Sequence, residues 1–190
     1  MTTRPLHFDA IAEAQRQWEL HDWPEPGAMA ACTSIMRAHQ IVLARVEEAL
    51  RPLDLTFARF EALALLSFSR KGALPLGKMG DRLMLHPTSV TNIVDRLEDQ
   101  ELLRRVPHPR DRRTILAEIT AEGRERVEIA TKAVGKVSLG MGGLSEAEQD
   151  TLTELLRKLR IDAGDFPPHG ANPAVDTGAT GTRARAPASP

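Results

Sequence analysis

Two short amphipathic runs separated by a three-residue break constrain this chain more than any other feature. In the first, Leu76-Gly77-Lys78-Met79-Gly80-Asp81-Arg82-Leu83, the apolar positions 76, 79 and 83 fall three and four apart, the spacing of one helical face. Met84-Leu85-His86 interrupts the pattern. Pro87 then stands where a helix can begin, because a first-turn residue needs no N–H partner. Beyond it Val90, Ile93, Val94 and Leu97 form an apolar stripe, and the other side carries Thr88, Ser89, Thr91, Asn92, Asp95 and Arg96. A helix, a tight turn and a second helix with a polar outer side make a helix-turn-helix, a shape that enters a duplex major groove.

The next segment reads as a hairpin. Leu102 to Val106 predicts one strand, and Thr114 to Ile119 predicts its partner, with Ile115, Ala117 and Ile119 alternating inward. Between them Pro107-His108-Pro109-Arg110-Asp111-Arg112-Arg113 predicts a loop. Residues 104–113 hold five arginines against one aspartate on a chain whose formal net charge is −1. A basic hairpin after a helix-turn-helix is a wing, suited to gripping phosphates and placing an arginine in the minor groove. The bland alternative is a solvated charged hairpin without a partner.

Roles for the DNA contacts follow from side-chain chemistry. Thr88, Ser89, Thr91 and Asn92 open the second helix, where base edges are reached, and Asn92 can pair two-pronged with adenine. His86 and the unpaired N–H groups at that helix start suit a phosphate. Arg113 or its neighbour Arg112 is the minor-groove candidate, and Arg96 and Arg110 suit the backbone. Arg104 and Arg105 serve either as further contacts or as braces of the wing.

These residues carry a resemblance. Asp111-x-Arg113 followed by Ile119-Thr120 is similar to the D-x-R-x5-[LI]-T signature of the MarR family. The run Thr91-Asn92-Ile93-Val94-Asp95-Arg96-Leu97-Glu98 resembles that family's recognition helix. The resemblance covers roughly residues 28 to 162. It implies an obligate homodimer with one winged helix-turn-helix per subunit, usually repressing transcription until a small effector binds. It also implies that Asp111 orients the wing arginine.

The flanks supply long helices. The fold expected is mainly α with a small β-hairpin wing, a winged helix-turn-helix at 56–119 joined to dimerisation helices at 28–55 and 120–162. Cys32, Ile35, Met36, His39, Val42, Leu43, Val46 and Leu50 make an apolar stripe over 28–50. Thr56 is placed to cap a helix over Phe57 to Ser69, with Phe57, Phe60, Leu63 and Ala64 facing inward. Thr120 is placed to cap another through about Leu139, with Val127, Ala130, Val134 and Val137 in register. Gly140-Met141-Gly142-Gly143 reads as a hinge. Ser145 and Glu148 form a capping box for a last helix whose buried side is Leu152, Leu155, Leu156 and Leu159. These stripes exceed what one small subunit can bury, and a homodimer covers the surplus.

Residues 1–27 read as an N-terminal extension with a helix over 6–20, ended by two prolines and a glycine within His21 to Gly27. A similar extension, ending in a pair like Gln17-Trp18, marks the urate-responsive branch of the resembling family. The positions matching that branch's effector pocket are Trp18, Glu61 and Ile93. Ile93 stands where that branch has an arginine, so an anionic purine would lack its cation. Trp18 is then either a packed capping aromatic or part of an effector site with Arg37, His39 and Glu61. Residues 163–190 are expected to be disordered, since from Gly164 onward five prolines and four glycines occur among 27 residues.

Other chemistries find little support. No nucleophile motif, paired carboxylates or phosphate-binding glycine loop is present, so an enzyme is not expected, nor a cofactor. Cys32, His39, His86 and His108 show no metal-ligand spacing, and no metal is expected. One branch of the resembling family senses peroxides through a cysteine near the start of its first helix, steadied by tyrosine hydroxyls; this chain has no tyrosine, so Cys32 reads as a buried structural thiol. A single cysteine, no run of about 18 apolar residues and no signal-peptide core predict a soluble cytoplasmic protein without a membrane span. The expected partner is double-stranded DNA, a palindromic operator met by two recognition helices roughly 34–36 Å apart. The competing reading is a winged-helix module that binds protein.

Overall fold

The computed structural model describes residues 6–167, with only the backbone given at Arg112. Seven helices and three strands follow in order: α1 (Ala10–Leu20), α2 (Pro26–Leu50), α3 (Phe57–Phe68), β1 (Ala73–Pro75), α4 (Leu76–Leu83), α5 (Pro87–Asp99), β2 (Leu103–His108), β3 (Asp111–Ile119), α6 (Ala121–Lys136) and α7 (Glu146–Asp162). The fold is therefore mainly α with a small antiparallel sheet.

Local chemistry sets most of the helix starts. Asp9 accepts the N–H groups of Ile11 and Ala12 at the head of α1. Thr56 and Thr120 accept those of Arg59 and Gly123, as their positions before apolar runs predict. At α7 the Ser145 hydroxyl accepts the Glu148 N–H at 3.4 Å, and Glu148 Oε2 accepts the Ser145 N–H at 2.8 Å, completing the capping box. Pro26 begins α2, so the break ahead of it is shorter than the sequence predicts. The first helix begins at Ala10, which leaves Phe8 outside it and exposed.

One core serves the helix-turn-helix and the hairpin. Leu63 and Leu66 of α3, Met79 of α4, Val94 and Leu97 of α5, and Leu102 and Leu103 at the start of the hairpin are all buried to 1 % exposure or less. Val46 and Leu50 of α2 and Val127, Ala130 and Val134 of α6 join the same cluster. Apolar side chains of α2 to α6 meet there, and each removes surface from water at about 25 cal/mol per Å².

The sheet order is β1-β3-β2. Sequence reading supplies β2 and β3 but not β1, three residues that include Pro75. Pairing of Leu74 with Ala117 and of Pro75 with Leu116 is what makes it a strand. The hairpin also runs further out than predicted. His108 pairs with Asp111, so Pro109-Arg110 alone forms the turn. Proline content argued for a longer loop, yet β2 is an edge strand, where a missing N–H is tolerated, and the register shifts right after Pro107.

Other expectations fail at tertiary contacts. α6 ends at Lys136, not near Leu139, and Val137 is 39 % exposed. Gly140 is no hinge: it is buried at φ +77°, with Arg45 Nη1 donating to its carbonyl at 2.9 Å, and an added Cβ would lie 3.1 Å from the Val42 carbonyl. That close approach pins the α6–α7 elbow to α2. Leu155 and Leu159 are 57 % and 55 % exposed, and no residue of α7 is buried within the subunit. The first half of α2 is likewise uncovered, including Ile35 and Met36. Cys32 lies on that half and is exposed, which corrects its reading as a buried thiol. Its helical turn lies on the half of α2 that reaches none of the subunit's own core. Most of the tail predicted to be disordered falls outside the described residues. Its first part turns back on α7, with Phe166 under the guanidinium groups of Arg157 and Arg160. No helix of the described residues is long and apolar enough to cross a membrane.

Candidate nucleic-acid interface

The α4–α5 turn depends on backbone conformation as much as on side chains. Met84 closes α4 in the left-handed region at φ 55°, and the Leu85 N–H reaches back to the Gly80 carbonyl at 3.0 Å. An added Cβ at Gly80 would lie 3.3 Å from the Leu85 carbonyl and 3.4 Å from Val90, so a small residue lets the two helices close up. α5 then buries Val90, Ile93, Val94 and Leu97, which turns Thr88, Ser89, Thr91, Asn92 and Arg96 to solvent.

The exposed residues are not equally available. His86 is the N-cap, its Nδ1 accepting the Thr88 N–H at 3.3 Å. The neutral ring therefore carries its proton on Nε2, a donor for a phosphate. One helix-start N–H expected to meet that phosphate is thus already used. The Thr91 hydroxyl donates to the Pro87 carbonyl at 3.1 Å, leaving its oxygen as an acceptor and its methyl as an apolar contact. Ser89, Asn92 and Arg96, at i, i+3 and i+7, share one face and have no partner within the described residues.

The four hairpin arginines whose side chains are described divide into two sets. Arg104 Nε donates to Glu118 Oε2 across the strand pair at 3.0 Å. Arg105 grips α5: its guanidinium pairs with Asp95 at 2.5 Å and with Glu98, and its backbone N–H donates to Glu98 Oε1 at 2.9 Å. Both brace the wing, and the Asp95 charge on α5 is thereby paired. Arg110 and Arg113 at the outer end are exposed, and their guanidinium groups have no carboxylate partner among the described residues. The side chain of Arg112 lies outside the described residues. Sequence reading left Arg104 and Arg105 between two roles because their acidic partners stand 7 to 14 positions away.

Asp111 holds one side-chain hydroxyl and one backbone N–H of the wing. Its Oδ2 accepts the Thr114 hydroxyl at 2.8 Å and its Oδ1 accepts the Arg113 N–H at 3.0 Å. It thus fixes the main chain beneath Arg113 and makes no ion pair with that guanidinium among the described residues. The Thr114 hydroxyl, then the Arg113 N–H, hold its carboxyl below the usual aspartate range. A depressed pKa means that these bonds support the wing fully above the unfolded value, about 3.9, and are lost as pH falls through the folded one. An NMR titration of the Asp111 carboxyl should accordingly give a midpoint below the ordinary one, and Thr114→Val should move it back up. An ordinary midpoint in the parent chain would remove this account of the wing.

The four effector candidates lie on α1, α2 and α3. Trp18 donates its indole N–H to the Pro24 carbonyl at 2.8 Å and packs edge-on to Trp23, centroids 4.8 Å apart. Arg37 donates to Gln40 on the exposed half of α2, near an exposed His39. Glu61 is solvent-accessible on α3, although partial desolvation raises its carboxyl pKa. None of the four lines either of two described cavities, one beside the wing and one between Glu47 and Arg59. Among the described residues no group of three or more His, Cys, Asp or Glu side chains is arranged to hold a metal ion.

Comparison with known proteins places this geometry. The MarR family model matches residues 55–115, from the end of the α2–α3 connection through most of the wing. The chain is 32% identical to the HTH-type transcriptional regulator MhqR of Bacillus subtilis over 133 residues, 70% of this chain and 90% of that protein. The crystal structure of Sco5413, a MarR family transcriptional regulator from Streptomyces coelicolor, is 50% identical, with a TM-score of 0.68 over 74% of this chain and 97% of that one. A cysteine-to-serine variant of E. coli MarR complexed with operator DNA is 27% identical, with a TM-score of 0.61 over 67% of this chain and 91% of that one.

Proposed function

The chain belongs to the MarR family of transcriptional regulators, and from that premise we propose that it works as a homodimeric repressor, seated on a palindromic operator and released by a small-molecule effector. The observation that carries the proposal is the division of labour on one surface. Ser89, Asn92 and Arg96 point outward without partners among the described residues, beside a wing whose inner arginines are spent on bracing while Arg110 and Arg113 pair with no described carboxylate. A module built to bind protein would have no need of unpaired arginines at the tip of a braced hairpin.

Dimerisation follows from the uncovered apolar surface. Ile35 and Met36 of α2 with Leu155 and Leu159 of α7 are too exposed for a solitary subunit, and a two-fold partner offering the same face would cover them. Two recognition helices one duplex turn apart then read a palindrome, and a particle that spans a promoter excludes other proteins from it. An effector would release DNA by favouring a spacing of the lobes that no longer matches the groove repeat.

Gel shifts with the chain's own upstream region test the reading. Arg113→Ala should weaken operator binding by about 1–3 kcal/mol, and Asn92→Ala should relax discrimination at one base position by a similar amount. Parent-like binding by both variants would exclude this surface as the reader. Absence of any shift at low salt, with upstream and genomic fragments alike, would end the regulator proposal. Binding that weakens steeply with added salt favours duplex over a protein partner, because phosphate contacts release counterions.

A further inference from the structure

Between the wing and α4 lies a cleft of about 590 Å³, within the range of small-molecule sites, roughly 300–1,000 Å³. Lys78 and Arg82, four apart on α4, line one side, Lys71 comes from the turn before β1, and His108 comes from the wing. Pro75 of β1 and Leu116 of β3, paired in register and so on one face of the sheet, contribute an apolar floor. No carboxylate lines the space. Lys71, Lys78 and Arg82 have no ion-pair partner among the described residues. His108 Nδ1 accepts the Arg110 N–H at 3.2 Å, so the neutral ring keeps its proton on Nε2 as a donor.

We propose that this cleft binds a small organic anion, a carboxylate or phosphate head on an apolar body. Lys78, Arg82 and His108 meet the head, and Pro75 and Leu116 meet the body. The cationic side chains around this one concave space repel one another, and an anion among them turns that repulsion into attraction. A duplex phosphate suits the place less well, because it stands on a stiff backbone and has no use for a recessed apolar floor. The site is also separate from Trp18, Arg37, His39 and Glu61. Since one wall is the wing, an occupant holds wing and α4 at one spacing. Only that consequence for DNA rests on the regulator reading; the binding itself does not.

Calorimetry on the full chain without DNA tests it, using 1-naphthoate, its neutral analogue 1-naphthalenemethanol and inorganic phosphate. The naphthoate should bind and the alcohol should not. Competition by phosphate would assign a phosphate head group, and its failure to compete a carboxylate. Joint Lys78→Gln and Arg82→Gln substitution should weaken naphthoate binding roughly tenfold to hundredfold, the effect of losing charge-assisted hydrogen bonds. Arg82→Lys should recover part of it, and circular dichroism would confirm folded variants. No naphthoate binding by the parent, or equal binding by parent and double variant, overturns the proposal. So does a double variant with parent-like naphthoate binding but a shallower salt dependence on DNA, which would make the cleft a backbone contact. Failure of the parent to bind DNA would sink the regulator reading and leave the naphthoate result standing.

Discussion

Replacing Gly123 by alanine should destabilise the protein by about 3 kcal/mol or more, at the upper end of what overpacking costs. A Cβ there would stand 2.0 Å from the Leu102 carbonyl oxygen, 3.0 Å from its carbon and 2.8 Å from Ile119 Cγ1. The oxygen cannot retreat easily, because it accepts the Thr120 N–H at 3.1 Å. Thr120 in turn caps Gly123 N at 3.0 Å and donates its hydroxyl to the Glu101 carbonyl at 2.8 Å. The first turn of α6 is thus fastened to the start of β2 through a gap that admits no methyl group. Alanine favours helix over glycine by about 1 kcal/mol, which offsets part of the clash without reversing it. For a domain of this size the melting temperature should drop roughly 6–12 °C. Gly135→Ala in the same helix is the control: nothing lies within 4 Å of its added Cβ, so it should be neutral or stabilising by up to about 1 kcal/mol. Thermal melts at one fixed protein concentration, needed for an oligomer, decide it. Similar melting of the two variants would refute the packing described.

Joint Leu155→Glu and Leu159→Glu substitution should yield a folded monomer whose operator affinity is lower by about 10²–10⁴-fold, the loss expected when two linked half-site contacts become one. Both leucines are more than half exposed on a helix with no buried residue of its own subunit. The core around Leu63, Leu66, Leu97 and Leu102 is formed without α7 and should survive. Between two subunits, the added carboxylates would face each other across a desolvated seam, where unpaired charge costs several kcal/mol. Sedimentation velocity and circular dichroism read the two halves of the prediction. A variant that remains dimeric, or that binds operator like the parent, would place the interface elsewhere.

How far the sequence could be read differs by element. The buried stripe of α5 is the one its periodicity predicts, and so are the caps at Thr56, Thr120 and Ser145, because each depends on residues within a turn of one another. The outward side chains of α5 follow from the same periodicity. Strand β1 was invisible, since three residues with a proline become a strand only when β3 lies beside them. The roles of Arg104 and Arg105 were undecided for a related reason: Glu118 comes from the opposite strand, and Asp95 and Glu98 come from another element. The supposed hinge at Gly140 proved to be a packed contact because its neighbour, Val42, lies far back in the chain.

Residue order alone therefore determined the helix-turn-helix, the presence of a basic hairpin after it, and the family to which both belong. These rest on short-range spacing and on charges crowded into ten consecutive positions. Only the tertiary structure decided which arginines stay uncommitted, that Asp111 holds main chain and not a guanidinium, and that a cationic cleft opens beneath the wing. Each of those depends on distances between groups remote in the chain, which packing sets and local pattern does not encode.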